Sequence, residues 1–297
     1  MSSIKELYIP FMGFKTYVRI VGEEYKNKLP LILLHGGPGS THNSFELLDE
    51  LSDKDKRCLI MYDQLGCGNS YVEGHAELWK AETWVNELDN LIEYLDLKEF
   101  HLLGHSWGGM LEIIYMNQGK HTKRVKTITL SSTLVSSKLW EDEAYKLINK
   151  LPNIYKNSIY KCLRENDFES PLYKKVMNYY YYSYVRPKYD NNTPECLLRK
   201  KPDASLVYNT TWGPCEYKPT GNLKDYDYID RLINIKVPVY ICSGEKDEST
   251  PLQNKVMKDN LPNCIKQVIF KDSRHMTYFE CHDEYIKELI DFLNTNK

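Results

Sequence analysis

Two kinds of hydrophobic pattern alternate along the chain. Residues 7–21 place apolar and polar side chains in alternation around Met12-Gly13, which predicts an antiparallel hairpin. Most other apolar segments are short continuous runs, typical of strands covered on both faces, at 29–34, 58–62, 100–103, 125–130, 237–242 and 267–270. Segments with helical spacing lie between these runs, at 45–51, 84–95, 110–116, 252–261 and 283–293. This alternation predicts an α/β fold with a mostly parallel, doubly wound sheet.

The alternation stops after Ser132. From Leu134 to Thr220 the chain is polar, rich in tyrosine and mostly helical in pattern, with the clearest helix at 139–151. We interpret this segment as a cap on the C-terminal edge of the sheet, where loops build active sites. The simpler alternative is a helical excursion that only packs against the core. The predicted domains are the first part of the core at 1–133, the helical cap at 134–220 and the second part of the core at 221–297.

The balance of charges narrows the possible partners. The 297 residues include 39 Lys and Arg against 41 Asp and Glu, a formal net charge of −2, so neither nucleic acid nor an anionic membrane surface is indicated. The segment Met1 to Glu6 lacks the apolar core of a signal peptide, and no apolar run approaches the length that spans a membrane. Eight cysteines are scattered without a C-x-x-C pair, which favours reduced thiols and a cytoplasmic protein.

The segment Gly104-His105-Ser106-Trp107-Gly108-Gly109 carries the clearest chemistry. It lies between a predicted strand and a predicted helix, which is the arrangement of the nucleophile elbow in α/β-hydrolases. In that turn Ser106 adopts a strained conformation that exposes its hydroxyl above the sheet. Glycines are expected at 104 and 108 because a Cβ atom there would collide with the neighbouring strand and helix. Ser106 is therefore the predicted nucleophile.

A serine nucleophile needs a base, and the base needs an orienting acid. In α/β-hydrolases an acid and then a histidine follow the serine, each after a later strand. Asp247 and His275 follow the last two predicted strands in this order. We therefore predict His275 as the base and Asp247 as its orienting acid, with Asp272 as the rival for the second role. His35 and His105 flank glycine motifs, and for both we predict a hydrogen-bonded structural role.

The segment His35-Gly36-Gly37-Pro38-Gly39 predicts the rest of the oxyanion hole. Glycines let backbone N–H groups approach the reacting carbonyl without obstruction by side chains. We assign the backbone N–H groups of Gly37 and Trp107 to this hole. A nucleotide-binding role is excluded because the sequence contains neither Gly-x-Gly-x-x-Gly nor a P-loop lysine. No cofactor and no metal ion are predicted.

Six segments resemble the proline iminopeptidase family of serine peptidases, and the resemblance as a whole runs in order from residue 35 to about residue 281. They are His35 to Gly39, Asp63-Gln-Leu-Gly-Cys-Gly-Asn-Ser70, Gly104 to Gly109, Trp212-Gly-Pro-Cys-Glu-Tyr217, Thr220-Gly-Asn-Leu223, and Gly244 to Pro251. The resemblance implies an α/β-hydrolase with a mostly parallel eight-stranded sheet and an inserted helical cap. It also implies that the protein removes N-terminal residues, often proline, from short peptides.

The resemblance further implies that the carboxylates of Glu216 and Glu248 hold the free α-ammonium of the substrate. Glu216 lies in sequence among Trp212, Pro214 and Tyr217, and an aromatic wall beside a carboxylate suits an ammonium next to an apolar side chain. The alternative for both glutamates is solvated surface charge, the usual environment of this residue.

The elbow is more similar to the tricorn-interacting aminopeptidase and amino-acid amidase branch than to the Gly-Gly-Ser-Trp-Gly-Ser of narrower prolyl enzymes. The expected substrates are therefore short peptides or amino-acid amides with a free N-terminus, carrying proline or another apolar residue first. One alternative is an amidase or esterase of small amino-acid derivatives with the same catalytic groups. The other is a binding protein of this fold without turnover, against which the complete set of Ser106, His275 and Asp247 counts.

Overall fold

The structure is a computed structural model that describes residues 2–296, and its centre is an eight-stranded sheet. The strands are β1 (Ile4–Phe11), β2 (Phe14–Val21), β3 (Leu31–Leu34), β4 (Leu59–Asp63), β5 (Phe100–His105), β6 (Val125–Ser131), β7 (Val239–Gly244) and β8 (Cys264–Phe270). They lie in the order β1-β2-β4-β3-β5-β6-β7-β8. β1 pairs with β2 and β2 with β4 in antiparallel fashion, and all other neighbours are parallel. The predicted hairpin and the predicted mostly parallel sheet are both confirmed.

Helices cover both faces of this sheet. They are α1 (Asp49–Asp55), α2 (Ala81–Tyr94), α3 (Trp107–Gln118), α4 (Ser137–Lys150), α5 (Asn153–Glu165), α6 (Pro171–Tyr184), α7 (Glu195–Leu198), α8 (Ser205–Thr211), α9 (Pro251–Asn260), α10 (Thr277–Glu280) and α11 (His282–Thr295). Short 3-10 helices lie at His42–Leu48, Gly68–Ser70, Ala76–Leu78, Thr122–Arg124 and Ile229–Asn234.

Strand β3 shows why its apolar run is continuous. Its even-numbered residues, Ile32 and Leu34, belong to the core that includes side chains of α2 and α3. Its odd-numbered residues, Leu31 and Leu33, belong to the opposite core, which includes side chains of α1 and α11. Because successive side chains of a strand point to opposite faces, a strand between two helical layers must be apolar at every position. The doubly wound arrangement is confirmed.

Two strands, β3 and β7, begin later than their apolar runs suggest, and proline is the reason. The runs predicted at 29–34 and 237–242 begin as strands at Leu31 and Val239, directly after Pro30 and Pro238. Proline has no backbone N–H to donate to a sheet. Both prolines still accept a hydrogen bond from the neighbouring strand through their carbonyls. Pro30 accepts from the backbone N–H of His101 at 2.9 Å, and Pro238 accepts from that of Ile128 at 3.2 Å.

Helices α4 to α8 lie between β6 and β7 in the chain and have a core of their own. Leu147 of α4, Ile159 of α5 and Tyr180 of α6 pack in one cluster with Tyr217. The tyrosine-rich stretch supplies much of this packing: Tyr180 lies 4.8 Å from Tyr217 between ring centroids. The chain therefore has a helical layer beyond the sheet, as expected, while the domain boundaries at 133/134 and 220/221 stay a prediction.

Two simple structural properties bear on the sequence predictions. All eight cysteines are free thiols in the structure, and six of them are buried. Within residues 2–296, no helix combines the length and the apolar character needed to cross a bilayer.

Candidate active site

Ser106 occupies the turn between β5 and α3 in the strained conformation that the elbow motif predicts. Its φ is 55° and its ψ is −121°. A Cβ atom on Gly104 would lie 2.3 Å from the carbonyl oxygen of Gly108, and a Cβ on Gly108 would lie 1.9 Å from that of Leu34. Both glycines are therefore required by backbone contacts between helix and strands. The backbone N–H of Ser106 donates to the carbonyl of Ser131 at 2.9 Å, which fixes the turn against β6.

Asp247 and His275 meet through the loops that follow β7 and β8. The Nδ1 atom of His275 lies 2.7 Å from Oδ1 of Asp247, and both residues are buried. The same carboxylate oxygen accepts the backbone N–H of Ser249 at 2.7 Å, so its position is fixed by the loop itself. Asp272, the rival, is mostly exposed and forms an ion pair with Lys246 at 2.8 Å. The structure therefore pairs His275 with Asp247.

The loop at 35–39 reaches the elbow. An added Cβ on Gly36 would lie only 3.2 Å from Cβ of Ser106, so this loop passes directly beside the serine. Gly37 has φ +113°, a conformation that side chains disfavour, and the peptide bond between Gly37 and Pro38 is cis. Trp107 is the first residue of α3, where backbone N–H groups have no partner within the helix. The two N–H groups predicted for the oxyanion hole thus lie on segments that adjoin Ser106.

Gln64 joins these two segments, and the sequence analysis missed it. Its side-chain amide accepts from the indole N–H of Trp107 at 2.8 Å and donates to the carbonyl of His35 at 3.0 Å. Its backbone N–H donates to Nε2 of His35 at 3.0 Å, and Gln64 is fully buried. The available signal was its place in the glycine-rich turn after β4, which ends at the same edge of the sheet as Ser106.

The two structural histidines have different environments. His35 is buried, with its Nδ1 atom 2.9 Å from the carbonyl of Gly36, and burial lowers its pKa to about 4. Since Nε2 accepts a hydrogen bond, this ring is neutral with its proton on Nδ1. His105 is also buried, which lowers its pKa well below the usual value, and its ring packs 4.7 Å from that of His275. His35 thus has the hydrogen-bonded structural role expected for it, whereas Nδ1 of the buried His105 has no hydrogen-bond partner within residues 2–296.

Ser106 and His275 line one cavity of about 270 Å³. The cap closes part of it, because the chain after α6 is hydrogen-bonded to the loop that carries His275. The backbone N–H of His275 donates to the carbonyl of Tyr184 at 3.1 Å, and that of Met276 to the carbonyl of Val185 at 3.2 Å. The position of the histidine therefore depends on the cap as well as on the sheet.

Glu216 and Glu248 come together from the cap and from the loop after β7. The hydroxyl of Tyr208 donates to Oε2 of Glu216 at 2.7 Å, whereas Oε2 of the buried Glu248 has no hydrogen-bond partner within residues 2–296. Burial raises the pKa of Glu216. Burial, followed by repulsion from Glu216 and Asp247, raises the pKa of Glu248 well above its usual value. The alternative of solvated surface charge is therefore wrong for Glu248, and Glu216 is half-buried.

Glu216 also borders a second cavity of about 470 Å³, whose lining combines aromatic and apolar side chains with Glu169, Lys174 and Asn178. The aromatic and apolar side chains include Phe168, Tyr173, Met177 and Tyr181. The aromatic surroundings expected from Trp212 and Tyr217 are thus supplied mainly by the tyrosine-rich helix α6 and its neighbours.

One group of side chains in the described part of the chain has the spacing of a metal site. Glu50, His282 and Asp283 place their ligand atoms within 4.8 Å of one another. His282 already pairs with Glu50 at 2.9 Å, and Lys54 pairs with Glu50 at 2.8 Å. These ion pairs explain the cluster as paired charges at the protein surface, without a metal ion.

Comparisons with known proteins agree with this architecture. A family model described as alpha/beta hydrolase fold matches residues 30–280. The solved structure of VinJ superimposes with a TM-score of 0.90 at 27% identity and covers 99% of both chains. The proline iminopeptidase of Mycobacterium smegmatis superimposes with a TM-score of 0.85 at 28% identity and covers 98% of both chains. The sheet, the elbow and the helical layers are therefore those of an α/β-hydrolase.

Curated relatives in sequence narrow the assignment from this fold to one family of enzymes. The proline iminopeptidase of Clostridioides difficile (strain 630) is 45% identical over 293 residues, 99% of each chain. That of Lactobacillus helveticus (strain DPC 4571) is 47% identical over 287 residues, 96% of each chain. The chain belongs to the proline iminopeptidase family of α/β-hydrolases, as the sequence motifs predict.

Proposed function

We propose that the protein is a serine aminopeptidase that releases N-terminal proline, and other apolar N-terminal residues, from short peptides. The observation that carries this proposal is the pair Glu216 and Glu248 beside the cavity of Ser106. Burial and mutual repulsion disfavour two carboxylates in such a place unless a cation joins them. A free α-ammonium is that cation. The names of the curated relatives support the same activity.

The proposed reaction begins with the α-ammonium held by the two glutamates and the scissile carbonyl beside Ser106. Oγ of Ser106 attacks the carbonyl carbon while Nε2 of His275 takes its proton. Asp247 keeps the imidazole in the required tautomer and stabilises the imidazolium. The contact of 2.7 Å between Nδ1 of His275 and Asp247 supports these roles.

The negative oxygen of the tetrahedral intermediate would lie against the backbone N–H groups of Gly37 and Trp107. Donors fixed in advance for a developing charge are usually the largest single contribution to such catalysis. His275 then gives its proton to the departing amine, which leaves the first residue as an ester on Ser106. Water, activated by the same histidine, attacks that ester and releases the free amino acid.

The glutamates distinguish an aminopeptidase from a general esterase or amidase. A hydrogen bond between charged groups contributes about 1.5–3 kcal/mol, which corresponds to roughly 10- to 150-fold in kcat/KM for each glutamate. An N-acyl group carries no charge and cannot make these bonds. We therefore expect N-acetylation of the substrate to almost abolish cleavage.

The test compares proline 4-nitroanilide with its N-acetyl form in the wild type and in the Glu216→Gln and Glu248→Gln variants. Each variant should lose most of its kcat/KM for the free amine. Glu165→Gln, at an exposed position on α5, is the matched control and should behave as the wild type. Ser106→Ala measures contaminating activity. Equal cleavage of blocked and free anilides by the wild type would contradict the aminopeptidase and leave the amidase or esterase alternative.

A further inference from the structure

The cavity that contains Ser106 and His275 carries an excess of positive charge. Besides the two catalytic candidates, its lining includes the side chains of Arg186 and Lys201, and in the described part of the chain it includes no Asp or Glu. The two glutamates proposed to hold the substrate ammonium do not line this cavity, and Glu216 borders a different one. Positive side chains therefore line the cavity of Ser106, whereas the carboxylate of Glu216 borders a separate cavity.

Arg186 is held in place by the backbone and by aromatic rings. The preceding residue, Val185, accepts the backbone N–H of Met276 at 3.2 Å, which places Arg186 beside the loop of His275. Its guanidinium lies 4.0 Å from the ring centroid of Tyr189 and 5.8 Å from that of Tyr182. Such contacts orient a cation without neutralising it. Within residues 2–296 no carboxylate lies within the 4.0 Å of an ion pair with this side chain.

Lys201 approaches the cavity from the segment that precedes α8. Lys201 is exposed as a whole residue, and desolvation lowers its pKa against an opposing effect of the nearby Asp63. The nearby Arg199 is neutralised by Glu46 and Glu195, each at 2.5 Å. Lys201 has no such ion pair with any carboxylate in the described range. Lys201 also borders an open cavity of about 460 Å³ along the Gly37 to Gly39 loop, whose lining includes Glu169 and Asp203 as well.

The course of a bound peptide follows from the reaction. With the α-ammonium at Glu216 and Glu248 and the carbonyl at Ser106, the remainder of the peptide must extend on the other side of the serine. His275 has to protonate the departing amine, so the leaving group lies in the cavity that His275 lines. A residue adds at most about 3.3–3.6 Å of length, so the carboxylate of a di- or tripeptide stays within this cavity or at its mouth.

We propose that Arg186 and Lys201 bind the C-terminal carboxylate of the leaving group, which makes free di- and tripeptides the preferred substrates. This inference rests on the proposed aminopeptidase function and narrows its substrate class. A short peptide at neutral pH has a positive and a negative end, and the site presents the opposite charges in the same order. Guanidinium and ammonium groups are the usual partners of a carboxylate.

The experiment compares Pro-Gly and Pro-Gly-Gly with the same peptides carrying a C-terminal amide. The amide keeps the scissile bond and removes only the terminal charge. We expect the wild type to prefer each acid to its amide by about tenfold or more in kcat/KM, mainly through KM, because the contact is made before and during the reaction alike. Arg186→Gln and Lys201→Met should each reduce this ratio by about three- to tenfold, since both cations are partly exposed to solvent.

Lys200→Met is the matched control, because it removes the same charge one residue from Lys201 at an exposed position outside the cavity. It should keep the ratio of the wild type. Raising the salt concentration should reduce the preference for the acid, because salt screens the attraction between partly exposed charges. An acid preference that is unaffected in both cavity variants would contradict the assignment of Arg186 and Lys201.

The outcomes separate this inference from the function on which it rests. Equal cleavage of acid and amide by a wild-type enzyme that hydrolyses proline 4-nitroanilide would overturn the carboxylate site alone, and the two cations would then be solvated charges at the cavity rim. Failure to release proline from the anilide and from every peptide would overturn both proposals.

Discussion

Gln64 is the residue whose replacement tests the predicted oxyanion hole most directly. Gln64→Leu removes the two hydrogen bonds of the side-chain amide and keeps its approximate volume. The indole N–H of Trp107 and the carbonyl of His35 then lose their partner at positions that are at most 1% exposed as whole residues. Each unsatisfied buried group costs about 1–3 kcal/mol, so we expect the free energy of unfolding to fall by about 2–6 kcal/mol.

The same change should affect catalysis through position rather than binding. Gln64 holds Trp107 and the segment that leads to Gly37, which carry the two proposed oxyanion donors. Complete loss of one such donor costs about 10²–10³ in kcat. Displacement of donors that are still present should cost less, about 10- to 100-fold, with little change in KM because the glutamates proposed to hold the ammonium remain.

Steady-state kinetics with proline 4-nitroanilide and thermal unfolding measure the two effects separately. Gln118→Leu, the same substitution at an exposed position on α3, is the control and should change neither quantity appreciably. A double-mutant cycle with Trp107→Phe should show that the two losses are not additive, because both variants break the same hydrogen bond. A Gln64→Leu enzyme with the kcat of the wild type would refute the link between this network and the oxyanion hole. A rise in KM alone would refute it equally.

The remaining predictions concern the acid, the glutamates and the elbow. Asp247→Asn should reduce kcat by about 10⁴-fold, while Asp272→Asn should stay within about twofold because that carboxylate is exposed and pairs with the exposed Lys246. The opposite ranking in the same assay would reassign the orienting acid. Because burial raises the pKa of both glutamates, kcat/KM for a free amine should decline as the pH falls through these raised values and the carboxylates lose their charge. Glu216→Gln removes a charge that raises the pKa of Glu248. In this variant the fall of kcat/KM on the acid side of the pH profile should therefore occur at lower pH than in the wild type, although the maximum is lower. A fall at the same pH as in the wild type would show that the two carboxyls do not interact. Gly108→Ala should lower the melting temperature by several degrees or prevent folding, because its Cβ would lie 1.9 Å from the carbonyl oxygen of Leu34; a variant as stable as the wild type would show that the elbow can shift to accommodate it.

Much of the fold follows from local sequence patterns. The apolar run of β3 is continuous because both faces of that strand are covered, and this requirement is visible residue by residue. The elbow is equally local: the conformation of Ser106 and the need for glycine at 104 and 108 arise within one strand, one turn and one helix. The order of serine, acid and histidine then predicted the pair that the structure brings to 2.7 Å. The starts of β3 and β7 differ from the predicted ones, because proline at the start of a strand removes a donor without interrupting the apolar pattern.

Other features depend on contacts between residues that are distant in sequence. Nothing in the neighbourhood of Gln64 indicates that its amide meets Trp107, 43 residues later, since that contact exists only when β4 and β5 end at the same edge of the sheet. The environment of Glu216 and Glu248 is of the same kind, because burial and repulsion arise when the cap folds over the loop after β7. The sequence by itself determined the sheet, the elbow and the candidate catalytic residues, since periodicity and turn chemistry are local. Only the tertiary structure decided which charged side chains line the cavity of Ser106 and which carboxyls are buried near one another, because desolvation and charge pairing are properties of the assembled surroundings.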